Sequence, residues 1–193
     1  MSTGKKVIWK ETYRARIKGP LVENDIPINS VNFFVLLASD VQKSLFAYPS
    51  AYEVTKDRLQ RKIWGLNKNT KNRRKISVGD NLLFYTSGTR ENCRAFIASA
   101  RVAAKIDHPS LEEHHSVDPL YHKYVGVPDV IIKLDNVIYL NRSVPINEIK
   151  ARLSFIKAPE SPKWGAFLQG GCITITYADF EEVKAAAKNH FHK

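Results

Sequence analysis

The stretch from Arg58 to Lys75, RLQRKIWGLNKNTKNRRK, holds the side chains best suited to chemistry with a ligand. Eight of its eighteen residues are Lys or Arg: Arg58, Arg61, Lys62, Lys68, Lys71, Arg73, Arg74 and Lys75. None is acidic. Such cations neutralise phosphates and release their counterions. Trp64 offers a flat face on which an unstacked base can lie. Gly65 beside it lets backbone groups approach a ligand closely. Asn67, Asn69 and Asn72 can donate and accept towards base edges. The plainer reading is a solvated basic turn around a core tryptophan.

Other chemistry finds less support. His108, His114, His115 and His122 lie near Asp107, Glu112, Glu113 and Asp118, but their spacing fits no standard zinc pattern. A solvated polar loop is the better reading, and no metal or other cofactor is expected. Cys93 and Cys172 are far apart in sequence and neither belongs to a CxxC pair. There is no GxGxxG, P-loop, GxSxG or HExxH signature. Trp9 is expected to cover a hydrophobic edge. Trp164, between Lys163 and Gly165, is expected to pack under the last helix, with a place in a pocket wall as the alternative.

The whole chain supports the basic stretch. It has 30 Lys and Arg against 19 Asp and Glu, a net charge of +11, which favours a polyanionic partner. With 193 residues, 44% of them hydrophobic, it can build a core without disulfides. Its longest apolar run, Phe33 to Ala38, is far below the roughly 18 residues of a membrane span. Nothing reads as a secretory leader, so a cytoplasmic protein with no membrane attachment is expected.

The elements that must position these residues can be read in order. Residues 1–30 have no sustained period and carry six Lys or Arg before Gly19. They read as a basic amino-terminal extension, either tracking phosphates or simply solvated, ahead of a folded region spanning 31–193. Residues 32–38 read as a strand, with Ser39 or Asp40 capping a helix near Val41. Residues 51–62 read as a helix, and IWGLNKNT, with its glycine and asparagines, as a loop. Strands follow at 82–85, 94–104, 129–134, 136–140 and 172–175, with an irregular loop at 107–124 and a short helix at 145–153. Thr176 is a candidate N-cap for the last helix, with Asp179 at its third position. Strands flanked by short helices without βαβ alternation predict an α+β fold with a small mixed barrel.

Taken in sequence, NFFVLLASD, KIWGLNK, VGDNLLFYTSG, RAFIASARV, VIIKL, LSFIK, WGAFLQGG and TYADFEEV resemble the EVE domain of the PUA-like superfamily. These are relatives of the YTH readers of methylated adenine. The resemblance spans roughly residues 31 to 188. It implies a curved mixed β-sheet or barrel flanked by short helices, with a pocket that admits one modified or flipped base. It implies Trp64 as one aromatic wall, Ser39 in the lining, Gly65 as a backbone contact and Gln169 with Gly170 at the pocket edge. A second aromatic would come from the long loop, where Tyr121 and Tyr124 stand instead of a tryptophan.

The resulting expectation is a non-enzymatic module that reads a modified, methylated base in RNA or DNA, with residues 58–75 holding the phosphates. One alternative is a nucleobase or nucleoside hydrolase using the same pocket, although the GxKxxExR type of signature is absent. Another is a specificity subunit of a restriction or defence complex, which requires a separate protein partner.

Overall fold

The computed structural model describes residues 31–40, 49–117 and 128–188. The extension at 1–30, with Trp9, the helix expected near Val41, and Asp118, Tyr121, His122 and Tyr124 lie outside the described residues. Two apolar runs form its centre. β1 (Phe33–Ala38) runs parallel to β3 (Asn81–Thr86). Alternate residues point to opposite faces of a strand. Phe34, Leu36, Leu82 and Phe84 therefore enter one core cluster, and Val35, Leu83 and Tyr85 another. Both faces are covered, which is why these strands read as continuous apolar runs rather than alternating ones.

The six strands follow the order β2-β5-β4-β3-β1-β6, with β2 at Ile63–Asn67, β4 at Ala95–Asp107, β5 at Pro128–Pro145 and β6 at Cys172–Ile175. All pairings except β1 with β3 are antiparallel. Register shifts interrupt three of the ladders, and such bulges bend and twist a sheet. The result is the expected curved mixed sheet with short helices on its faces: α1 (Ala51–Gln60), α2 (Leu111–Val117), α3 (Ile146–Ile149) and α4 (Tyr177–Lys188).

Three sequence expectations need correction. IWGLNKNT is not all loop, because Ile63–Asn67 pairs with β5 as an edge strand. Gly65 fits a strand here because its missing side chain makes room: a Cβ would stand 3.0 Å from Val117 Cγ1 and 3.1 Å from Pro128 Cβ. The two strands expected at 129–134 and 136–140 are one strand, with the left-handed residue Asn136 (φ 47°) inside it. The loop at 107–124 contains α2, opened by a reciprocal cap: Glu113 N–H donates to Ser110 Oγ (3.2 Å) and Ser110 N–H to Glu113 Oε2 (2.8 Å).

The cap foreseen for α4 is present and extends further. Asp179 accepts from Thr176 N–H (3.1 Å) and Oγ1 (2.8 Å), and from Ser154 N–H (2.6 Å) and Oγ (2.7 Å). Burial raises this carboxyl's pKa, but the hydrogen bonds from Ser154 and Thr176 outweigh burial and hold it below the ordinary 3.8. Its contribution to stability is therefore fully present above the ordinary aspartate range and is lost as pH falls through the depressed folded value. Asp179→Ala is expected to cost about 2–3 kcal/mol at neutral pH, the scale of hydrogen bonds to a charged group. Urea unfolding should show that the gap from the native protein narrows at low pH. A gap independent of pH would mean that the carboxylate charge plays no part.

Candidate functional site

The central strands bring three separated segments to one end of the sheet. β1 lies between β6 and β3. At its carboxyl end, Leu37 N–H donates to Gly171 O (2.9 Å) on one side, and Ser87 N–H donates to Ala38 O (2.7 Å) on the other. Over this end runs a 3₁₀ turn, Trp164–Leu168, started by a hydrogen bond from Trp164 N–H to Ser161 O (3.1 Å). Between these segments is a cleft of about 700 Å³, within the size range of small-ligand sites.

The cleft has a mixed apolar and polar lining. Leu37, Leu168, Pro162, Tyr85 and Trp164 supply rings and methyls, while Ser39, Ser87, Thr89, Arg94 and Gln169 supply donors and acceptors. The Ser39 and Ser87 hydroxyls share a hydrogen bond of 3.0 Å. Burial pushes the Tyr85 phenol well above its ordinary pKa, so it remains protonated. Trp164 is half-buried, packed on the core cluster of Val35, Leu83 and Tyr85 and also lining the cleft. The Lys150 ammonium stands 5.3 Å from its ring centroid, a cation–π contact.

Asp40 is the only carboxylate among the described residues lining the cleft. Its Oδ1 accepts from Ala51 N–H (2.8 Å) at the start of α1, and its Oδ2 accepts from Thr89 N–H (3.1 Å). The carboxylate thus ties α1 to the 88–94 loop, with both oxygens engaged. Gly88 is required opposite it, because a Cβ there would stand 2.6 Å from either oxygen. No Lys, Glu or His lines the cleft among the described residues. Burial also pushes both thiols up, Cys172 to about 12, so neither is a ready nucleophile. Among the described residues, no three His, Cys, Asp or Glu side chains come together as a metal site.

The structure brings Ser39, Gln169 and Gly170 together at this cleft. It does not bring Trp64 there. That indole is 1% exposed, tilted against Phe84 with ring centroids 4.9 Å apart, and covered by the Arg58 guanidinium 5.0 Å from its centre. The alternation of β2 turns Trp64 and Leu66 to the core. Gly65 packs against Val117 and Pro128. Neither Trp64 nor Gly65 belongs to the pocket expected of them.

The basic stretch disperses over several elements. Arg58 is buried on Trp64 and is withdrawn from the phosphate-binding set. Arg61 is ion-paired with Asp57, and Arg73 with Asp129 at 2.6 Å. Lys62, Lys68, Arg74 and Lys75 are exposed away from the cleft lining. Lys71 does not line the cleft, but it lies against Gly170, which does. Its N–H donates to Gly170 O (2.8 Å), and its side chain lies along Gly170, where a Cβ would approach its Cδ to 2.7 Å.

Sequence reasoning gave Trp164 a place in a pocket wall only as the alternative to core packing, and missed Ser87, Thr89 and Arg94. A signal was present: the pair Trp-Gly occurs at 64–65 and again at 164–165. The surrounding charge drew attention to the first. Arg94, whose Nε donates to Gly88 O (3.2 Å), carried no local signal.

No protein with a curated description matches the sequence. Solved structures share its fold. Human THYN1, in complex with DNA containing 5-methylcytosine, is 18% identical, with a TM-score of 0.51 over 82% of this chain and 99% of that one. ASCH from Zymomonas mobilis is 11% identical, with a TM-score of 0.52 over 80% of this chain and 94% of that one. The amino-terminal domain of McrB from Staphylothermus marinus is 9% identical, with a TM-score of 0.51 over the same shares, 80% and 94%. These likenesses bear out the PUA-like curved sheet. No helix among the described residues is long and apolar enough to cross a membrane. Residues 46–183, more than two thirds of the sequence, match the EVE domain, and the chain belongs to that family.

Proposed function

We propose that this protein is a non-enzymatic nucleic-acid-binding module that takes one modified, methylated base into the cleft at Trp164. The observation that carries the reading is the cleft itself: one indole, aliphatic groups, hydroxyls, an amide and the guanidinium of Arg94 around a space of small-ligand size. Membership of the EVE family supports it, as does the fold shared with a protein bound to 5-methylcytosine DNA. A hydrolase reading finds no acid–base pair, because the carboxylate of Asp40 is occupied by two backbone N–H groups. Any cleavage or translocation would come from a separate protein partner.

Magnitudes favour a division of labour. A buried methyl contributes about 0.8 kcal/mol, and stacking on an aromatic about 1–3 kcal/mol. Extracting a base from a duplex costs a few kcal/mol. Base contacts therefore set selectivity, and phosphate contacts provide much of the affinity. Lys71 stands on the β6 side of the β1 end and Arg94 on the β3 side. These residues thus stand on opposite sides of the β1 end and are placed to hold phosphates on either side of one inserted base. Lys163, exposed beside Trp164, adds a third cation.

The test is a binding screen with RNA and DNA oligonucleotides bearing methylated or hydroxymethylated cytosine or methylated adenine, each at several salt concentrations. One modified base is expected to bind more tightly than its unmodified parent. Neutralising Lys71 and Arg94 together should reduce the slope of log affinity against log salt by about 1.4–1.8, the share of two phosphate contacts. Equal affinity for every modified and unmodified oligonucleotide would overturn the base-reading claim. An unchanged salt slope would remove these two cations from the interface.

A further inference from the structure

Behind the 88–94 loop lies a second hollow of about 250 Å³. Gly88 and Thr89 of this loop face the cleft, whereas Asn92 lines the hollow. Tyr52 and Lys56, four residues apart on α1, form one side, and Tyr139, Asn141 and Arg142 of β5 form the other. Tyr139 is 46% exposed, so part of its ring is open to a ligand in the hollow. No carboxylate lines the hollow among the described residues. Arg142 is held by Glu148 (2.7 Å) and Ala186 O (3.0 Å), which fixes its position, and Lys56 is exposed.

We propose that this hollow is a second nucleic-acid subsite, in which Tyr139 stacks an unpaired base a few nucleotides along the strand from the one in the cleft and Lys56 meets its phosphate. The inference rests on the proposed function of the cleft. Aromatic rings beside cations are the elements of single-strand binding, and the two asparagines can hydrogen-bond a base edge. Charge favours a polyanion over a protein partner here: the lining holds two amides, the exposed ammonium of Lys56 and no carboxylate, while the charge of Arg142 is paired with Glu148. The spacing also fits. Gly88 and Asn92 are four positions apart in the chain, so at most about 14 Å lies between the two linings there. A stacked strand rising about 3.4 Å per nucleotide covers that distance in about four nucleotides.

Single-stranded oligonucleotides carrying one modified base, a trinucleotide and a dodecanucleotide, test this by fluorescence anisotropy. Tyr139→Ala should weaken the dodecanucleotide about tenfold, within the range for loss of one stacked base, and leave the trinucleotide unchanged. Tyr139→Phe should retain the native affinity, because the stacking face remains. Trp164→Ala should weaken both lengths, which separates failure of the cleft from failure of the hollow. Native affinity of Tyr139→Ala for the longer strand would overturn the proposal and leave this face to a protein partner. An equal loss for both lengths would also overturn it, as would a native protein that binds neither oligonucleotide.

Discussion

Trp64→Ala is expected to destabilise the protein by about 3–5 kcal/mol, the range for removing a large aromatic from a packed core. The indole is sealed between Phe84 and Arg58, and its strand partner is Ile132 in β5. Truncation would leave a cavity, and the mostly buried Arg58 would lose the ring beneath it. Since a domain's whole stability is about 5–15 kcal/mol, this is a large fraction. At about 2–4 °C per kcal/mol for a chain of this size, the melting temperature should fall by roughly 6–20 °C. Base selectivity of the remaining folded molecules should be native at low temperature. A native melting curve combined with lost binding would return Trp64 to the pocket and refute its placement in the core.

The same residue shows what could be read from the sequence. On α1 the buried positions are Ala51, Val54, Thr55, Arg58 and Leu59. Their spacing of three and four is that of a core-facing stripe. Arg58 falls within this stripe, so its periodicity marks it as a residue that lies over the core rather than one that reaches phosphates. Counting charges along 58–75 hides that difference. The central strands were legible because both their faces are buried, which leaves FFVLLA and NLLFYT almost uninterrupted. The cap of α4 was legible because its partners are three residues apart. The cap of α2 has the same spacing, as Ser-x-x-Glu at 110–113, but the histidines around it read as loop. β2 was not legible because Gly65 and Asn67 signal a turn, and only pairing with β5 overrides them.

The cleft is harder still. Its wall comes from residues 37–40, 85–94 and 162–171. These segments meet only because β1 lies between β3 and β6, and no local spacing encodes that neighbourhood. The family resemblance supplied Ser39, Gln169 and Gly170, which do line the cleft. It gave the aromatic wall to Trp64, which is buried, whereas Trp164 of the second Trp-Gly pair lines the cleft. The deciding quantity was burial, which composition around a tryptophan does not determine.

Trp164→Ala is expected to lower affinity for the preferred modified oligonucleotide about tenfold or more, within the range for removing one stacking face. Its effect on stability should be about 1 kcal/mol, because the ring is only partly packed on the core and the 3₁₀ turn that carries it keeps its backbone hydrogen bonds, including Ala166 N–H to Lys163 O (2.9 Å). Trp164→Phe retains a smaller stacking face and should recover much of the loss. Lys150, 5.3 Å from the indole centre, loses its cation–π partner in the alanine variant. Lys150→Gln therefore serves as the control: a small effect on binding in that variant separates stacking of the base from rearrangement of the lysine. Titrations of the three variants with modified and unmodified strands, alongside melting curves, distinguish the outcomes. The base-reading proposal fails if Trp164→Ala binds the preferred strand as the native protein does, because no other exposed indole among the described residues could replace it. An equal loss on modified and unmodified strands would keep Trp164 as a stacking platform, with discrimination residing in the Ser39, Ser87 and Gln169 border.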